Sequence, residues 1–109
     1  VGDAQDVVIR DRMMLAQDGM FVVIALVDQK TGKLKKSPDL ISRGFVYLKE
    51  NKNIIEGSRQ KVRDICKDYN PKDAADPIYL KNKLRDGMGQ FLFHKTERRP
   101  MILPVVIEV

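Results

Sequence analysis

Met20-Phe-Val-Val-Ile-Ala-Leu-Val27 is the longest apolar run in the chain, bounded by Gly19 on one side and by Gln29-Lys-Thr-Gly32 on the other. It is continuous rather than alternating, rich in β-branched and aromatic residues, and far shorter than the roughly 20 residues a membrane-spanning helix needs. It reads as a central strand buried on both faces. The Thr31-Gly32 turn should reverse the chain into Leu34. After Ser37-Pro38-Asp39 the run Leu40 to Leu48 resumes as a strand, giving an antiparallel pair.

From Asn53 to Tyr69 the period changes. Ile54, Ser58, Val62, Ile65, Cys66 and Tyr69 recur three or four apart with charges opposite them, the pattern of an amphipathic helix ended by Asn70-Pro71. Asp76-Pro77 supplies a cap and a first-turn proline for a second helix, whose stripe is Leu80, Leu84, Met88, Phe91 and Leu92. Gly87 and Gly89 in that helix each cost about 1 kcal/mol relative to alanine, so either a neighbour approaches closely there or the helix is weak at its middle. Arg99-Pro100 opens a last strand, Met101 to Val109. Its Pro104 lacks an amide hydrogen and belongs at a sheet edge. The expected fold class is a two-layer α/β (α+β) domain in the order β-β-α-α-β, a three-stranded mixed sheet with two helices on one face.

At 109 residues and 12.5 kDa the chain has material for one core. Its 43% hydrophobic and 32% charged composition excludes a disordered tail, a collagen-like repeat and a disulfide scaffold. A single cysteine and no leader pattern point to the cytoplasm, with no membrane association. A start at Val1 and an end inside an apolar run suggest a domain cut from something longer. The net charge of +5 is regional: residues 1–29 hold five aspartates against two arginines. Lys33, Lys35, Lys36, Arg98 and Arg99 therefore stand out as residues able to meet RNA phosphates through counterion release. Scattered lysines on a turn are also the ordinary dress of a solvated edge.

Catalytic material is sparse. His94 is the one histidine and Cys66 the one cysteine, which supplies neither a CxxC nor an HxH pair for zinc. Cys66 lies on an apolar stripe, where a thiol packs as a small hydrophobe. Gly87-Met88-Gly89 lacks the third glycine and preceding strand of a dinucleotide fingerprint. The early aspartates have no calcium-loop spacing. In Ser42-Arg43-Gly44-Phe45-Val46-Tyr47 strand alternation would put Arg43, Phe45 and Tyr47 on one face, a set suited either to stacking bases or to a protein interface.

With those residues in view, the chain resembles the C-terminal domain of ribonuclease J, of the β-CASP branch of metallo-β-lactamase nucleases. The matching stretches are Ile9-Arg-Asp-Arg12, Asp18-Gly19 leading into the apolar strand, PDLISRGFVY from Pro38 to Tyr47, and FLFHKTERRPMILPVVIEV from Phe91 to Val109. The resemblance implies a parent enzyme that degrades RNA from the 5′ end and also cuts internally, with zinc in its catalytic domain and no cofactor in this fragment. Residues 1–17 would be the end of a linker and lead-in, and residues 18–109 the accessory domain. The fragment itself is then not an enzyme, and is expected neither to cleave RNA nor to hold zinc.

Two roles follow, an assembly domain and a basic RNA-binding module. The first is favoured by the sheet. A sheet with helices on one side should alternate apolar and polar residues, yet both faces of the first and last strands are apolar. The second face must be covered by Val7, Val8, Ile9, Met13, Met14 and Leu15 of the lead-in, by a second copy in a homo-oligomer, or by the catalytic domains of the same chain. Phe21, Arg43, Phe45 and Tyr47 are its expected contacts.

Overall fold

The computed structural model describes residues 18–45, 51–70 and 78–109. Strands β1 (Met20–Val27) and β2 (Asp39–Arg43), helices α1 (Lys52–Lys67) and α2 (Ile78–Thr96), and strand β3 (Met101–Glu108) follow in that order. The sheet order is β2-β1-β3, with β1 antiparallel to β2 and parallel to β3. The mixed sheet and two-helix layer expected from the sequence are therefore present. β3 is an edge strand, the position that tolerates Pro104.

The hairpin end of the sheet is set by local chemistry. The Asp28 carboxylate accepts the backbone N–H of Lys30 at 2.8 Å and of Thr31 at 3.0 Å. Those two amides, with a smaller contribution from Lys35, hold its carboxyl below the usual range. Gly32 supplies the positive φ of 73° that lets the chain double back, and Leu34 bridges to Val27.

Asn51 starts α1, its side chain accepting the N–H groups of Asn53 and Ile54. The buried stripe of α1 is Ile54, Ser58, Val62 and Cys66, and that of α2 is Leu80, Leu84, Met88 and Leu92. Both stripes share one core with Phe21, Val23, Ala25 and Val27. The expectation of a central strand buried on both faces is corrected: those four residues are at most 2% exposed, whereas Met20, Val22, Ile24 and Leu26 on the other face are only half-buried. Among the described residues, the two helices cover one side of the three-stranded sheet.

α2 runs unbroken through Gly87 and Gly89, and the helix seam explains the first of them. A Cβ on Gly87 would lie 2.6 Å from Ile65 Cδ1, and one on Gly57 would lie 2.8 Å from Phe91 Cζ, so each helix offers a glycine to the other's bulky side chain. Gly89 faces open space. Gly89→Ala should therefore stabilise the fold by up to about 1 kcal/mol. Gly57→Ala should destabilise it by about 1 kcal/mol, because overpacking against an aromatic ring outweighs the gain in helix propensity. Urea melts of the two variants check the opposite signs.

Candidate functional site

The sheet face turned away from the helices is built by register. Met20, Val22, Ile24 and Leu26 of β1 sit beside Met101, Leu103, Val105 and Ile107 of β3, and beside Arg43, Ile41 and Asp39 of β2. Ile41, Val105 and Ile107 are 44%, 39% and 45% exposed. Apart from Asp39 and Arg43 every one of these side chains is apolar. Burying such a surface is favourable at about 25 cal/mol per Å², so the face is chemically suited to being covered.

The residues expected to make contacts there divide. Arg43 lies on the open face opposite Met20. Phe21, 0% exposed, and Phe45, 3% exposed, do not, because both fill the core beneath the helices. Phe21 shares the helix-facing side of β1 with Val23, Ala25 and Val27, and for Phe45 the physical reason is Gly44. β2 ends at Arg43 instead of continuing to Leu48, and Gly44 takes a φ of 71°, so the alternation that would align Phe45 with Arg43 is broken between them. Tyr47 lies outside the described residues, as do the lead-in of residues 1–17 and the Asp76-Pro77 cap.

The five basic residues are not brought together. Lys33, Lys35 and Lys36 belong to the hairpin beyond the end of β1, while Arg98 and Arg99 precede β3 beside its start. Eight residues of β1 at about 3.3 Å each put the two groups roughly 25 Å apart. Lys35 pairs with Asp28 at 3.4 Å, Lys36 with Asp39 at 3.3 Å, and Arg98 with Asp18 at 3.7 Å. The Arg99 guanidinium stacks 4.2 Å over the Phe93 ring. Asp18 also accepts the Arg99 N–H at 2.7 Å and so ties the entry of β1 to the entry of β3. Its signal in the sequence is an acid directly before Gly19, but the partner lies 81 positions away.

His94 is exposed near the end of α2 and Cys66 is buried in α1. No group of three or more histidine, cysteine, aspartate or glutamate side chains among the described residues is placed to hold a metal ion, so these residues do not fit a zinc centre. No helix among them is long and apolar enough to cross a membrane. A shallow cleft of about 180 Å³ between Ile65, Asp68, Tyr69, Tyr79, Leu80 and Lys83 was not foreseen; Lys83 reaches 5.4 Å over the Tyr79 ring.

Burial pushes the Cys66 thiol from its ordinary value near 9 up to about 11. At pH 8 the native thiol should therefore resist alkylation that the urea-unfolded chain undergoes readily. Below pH 9 the thiol is protonated in both states and costs nothing. Between pH 9 and 11 the unfolded chain ionises first and stability falls, by up to about 3 kcal/mol in all. The expected result is a decline over that window that Cys66→Ala removes from pH-dependent urea melts.

Among the described residues the chain is a two-layer module, a three-stranded sheet with two helices packed on one side. The comparison with known proteins gives the family: residues 7–109 match the Ribonuclease J C-terminal domain, and the chain belongs to that family. It is 38% identical over all 109 residues to Ribonuclease J2 of Bacillus subtilis (strain 168), 37% to Ribonuclease J 2 of Staphylococcus epidermidis, and 36% to that of Staphylococcus aureus. It spans 20% of the length of each of these relatives.

Proposed function

We propose that the chain is the non-catalytic accessory and assembly domain of a cytoplasmic, zinc-dependent ribonuclease J-like enzyme acting in RNA processing and decay. In this reading RNA is the substrate of the parent enzyme, and zinc belongs to its metallo-β-lactamase catalytic domain. Residues 18–109 form the accessory unit, and the protein contacts run either to the catalytic domains of the same chain or to a homo-oligomeric partner. The observation that carries the reading is the continuous apolar face across β1 and β3. In the parent enzyme, Ile41→Glu combined with Val105→Glu changes two side chains that are already exposed, so folding is preserved. The expected result is a smaller assembly mass by light scattering and slower RNA degradation. An unchanged assembly mass together with an unchanged rate of RNA degradation overturns the reading.

The alternative, an autonomous RNA-binding module, is disfavoured by the separation of the basic residues and by their ion pairs. Any affinity of the isolated chain for single-stranded RNA should be weak and without sequence preference. If about three phosphates are met, the log-log salt slope is no steeper than about −2. A salt-insensitive, sequence-selective affinity in a filter-binding titration would restore the module reading.

A further inference from the structure

We infer that the outer seam between α1 and α2 is a track for single-stranded RNA, held through Lys61, Lys83 and Lys95 with Tyr79 as a stacking platform. The inference rests on the reading that RNA is the substrate of the parent enzyme, and it gives the helix layer a part in holding that substrate. What carries it is where the charge sits. The two helices hold nine lysines and arginines against three acids, a net of +6, whereas the whole chain is +5. The positive charge of the chain is therefore the charge of its helix layer, on the side away from the apolar sheet face.

The acids of that layer are already engaged. Glu56 pairs with Arg59 at 2.6 Å and Asp86 with Arg85 at 3.3 Å, while Asp64 accepts the side-chain amide of Gln60 at 2.9 Å. Lys61, Lys83 and Lys95 enter no ion pair among the described residues. Helical spacing sets these three in line. Lys83, Gly87, Phe91 and Lys95 recur every four residues on α2, and Gly57, Lys61 and Ile65 do so on α1, so each set forms a row along its helix. The two rows meet at the glycines. A Cβ on Gly87 would lie 3.8 Å from Lys61 Cε, so the head of Lys61 stands beside Gly87, four residues from Lys83 and eight from Lys95. At about 1.5 Å per residue, Lys61 lies about 6 Å and Lys95 about 18 Å along the seam from Lys83.

Aromatic rings are interleaved with these cations. Lys95 lies 5.9 Å over the Phe91 ring and Lys83 lies 5.4 Å over the Tyr79 ring. Tyr79 is 50% exposed and lines the cleft of about 180 Å³ with Ile65, Asp68 and Lys83. A basic groove flanked by rings holds single strands without reading their sequence, because lysines meet the phosphates and an unpaired base stacks on a ring. An acidic protein segment would use the lysines and leave the ring idle. The basic residues that stand out in the sequence offer no such row, since they lie at both ends of the sheet and Lys35, Lys36 and Arg98 are paired with acids.

Fluorescence anisotropy of a labelled oligouridine titrated with the 109-residue chain tests this, with circular dichroism to confirm folding. Lys61→Gln, Lys83→Gln and Lys95→Gln combined should weaken binding about tenfold or more at about 50 mM salt, and bring the log-log salt slope from about −2 toward zero. Lys33→Gln, Lys35→Gln and Lys36→Gln combined remove the same charge from the hairpin and should change the affinity by less than about twofold. Tyr79→Ala should weaken binding about fivefold or more, and Tyr79→Phe should leave it unchanged. A chain with no measurable affinity, a hairpin triple that loses as much as the seam triple, or a Tyr79→Ala chain that binds unchanged overturns the inference. A polyglutamate peptide of matched charge that binds as tightly through the same lysines overturns it too, because the seam then takes an acidic protein. The reading beneath it fails separately, if the parent enzyme does not degrade RNA.

Discussion

Gly19→Ala should destabilise the chain by about 3 kcal/mol or more, a large part of the 5–15 kcal/mol that holds a domain of this size folded. Two costs combine. Gly19 has a φ of 84°, where a non-glycine residue loses about 1–2 kcal/mol. A Cβ there would also strike the Arg43 carbonyl oxygen and lie 2.5 Å from the Gly44 carbonyl carbon, and backbone cannot rotate aside as a side chain can. The collision falls where the sheet is knit: Met20 pairs with Arg43 next door, and the Gly19 carbonyl accepts the Met101 N–H at 2.8 Å. Gly44→Ala is the control. Its φ is 71°, but the nearest atom, Gly19 Cα, is 3.4 Å away, so only the conformational cost of about 1 kcal/mol applies. Urea denaturation followed by circular dichroism should rank Gly19→Ala well below Gly44→Ala, and equal midpoints would refute the close approach.

That pair of glycines also marks where the sequence stopped being legible. The strand at Met20 was readable because a continuous β-branched run has few alternatives, and the two helices because their apolar stripes repeat at helical spacing. Pro104 announced an edge strand by what it lacks. The end of β2 was different. Arg43-Gly-Phe-Val-Tyr-Leu48 has the alternation of a longer strand, and what interrupts it after Arg43 is the positive φ of Gly44, packed beside Gly19 just before β1, a contact no local window contains. Gly87 is a similar case, since its small size is explained by Ile65 on the other helix.

The candidate surface was legible as a property and not as a set of residues. Two apolar faces on one strand imply that something covers the second, and that inference needs only the composition of the strand. Which face the helices take is decided by packing across the whole core, so parity alone could not assign Phe21 to one side. The basic residues are separated for a topological reason: a parallel third strand sends Arg98 and Arg99 to the end of the sheet opposite the lysine turn, although both groups look like one reservoir of charge in the sequence.

Phe21→Ala separates core from interface most directly. Phe21 is completely buried, pairs with Ser42 and Ile102 in the sheet, and is among the largest side chains in the core. Truncating a buried phenylalanine removes its transfer energy and leaves a cavity, a loss of about 3–5 kcal/mol. The expected result is a chain whose urea midpoint collapses, with any loss of self-association following from unfolding. Ile41→Glu on the opposite face should do the reverse, changing stability by less than about 0.5 kcal/mol while abolishing association, because its side chain already meets water in the single chain. Measuring the unfolding midpoint and the sedimentation coefficient on both variants gives a crossed result that no shared loss of folding can produce. A folded Phe21→Ala chain that fails to associate would return Phe21 to the interface and invert the assignment of the two faces.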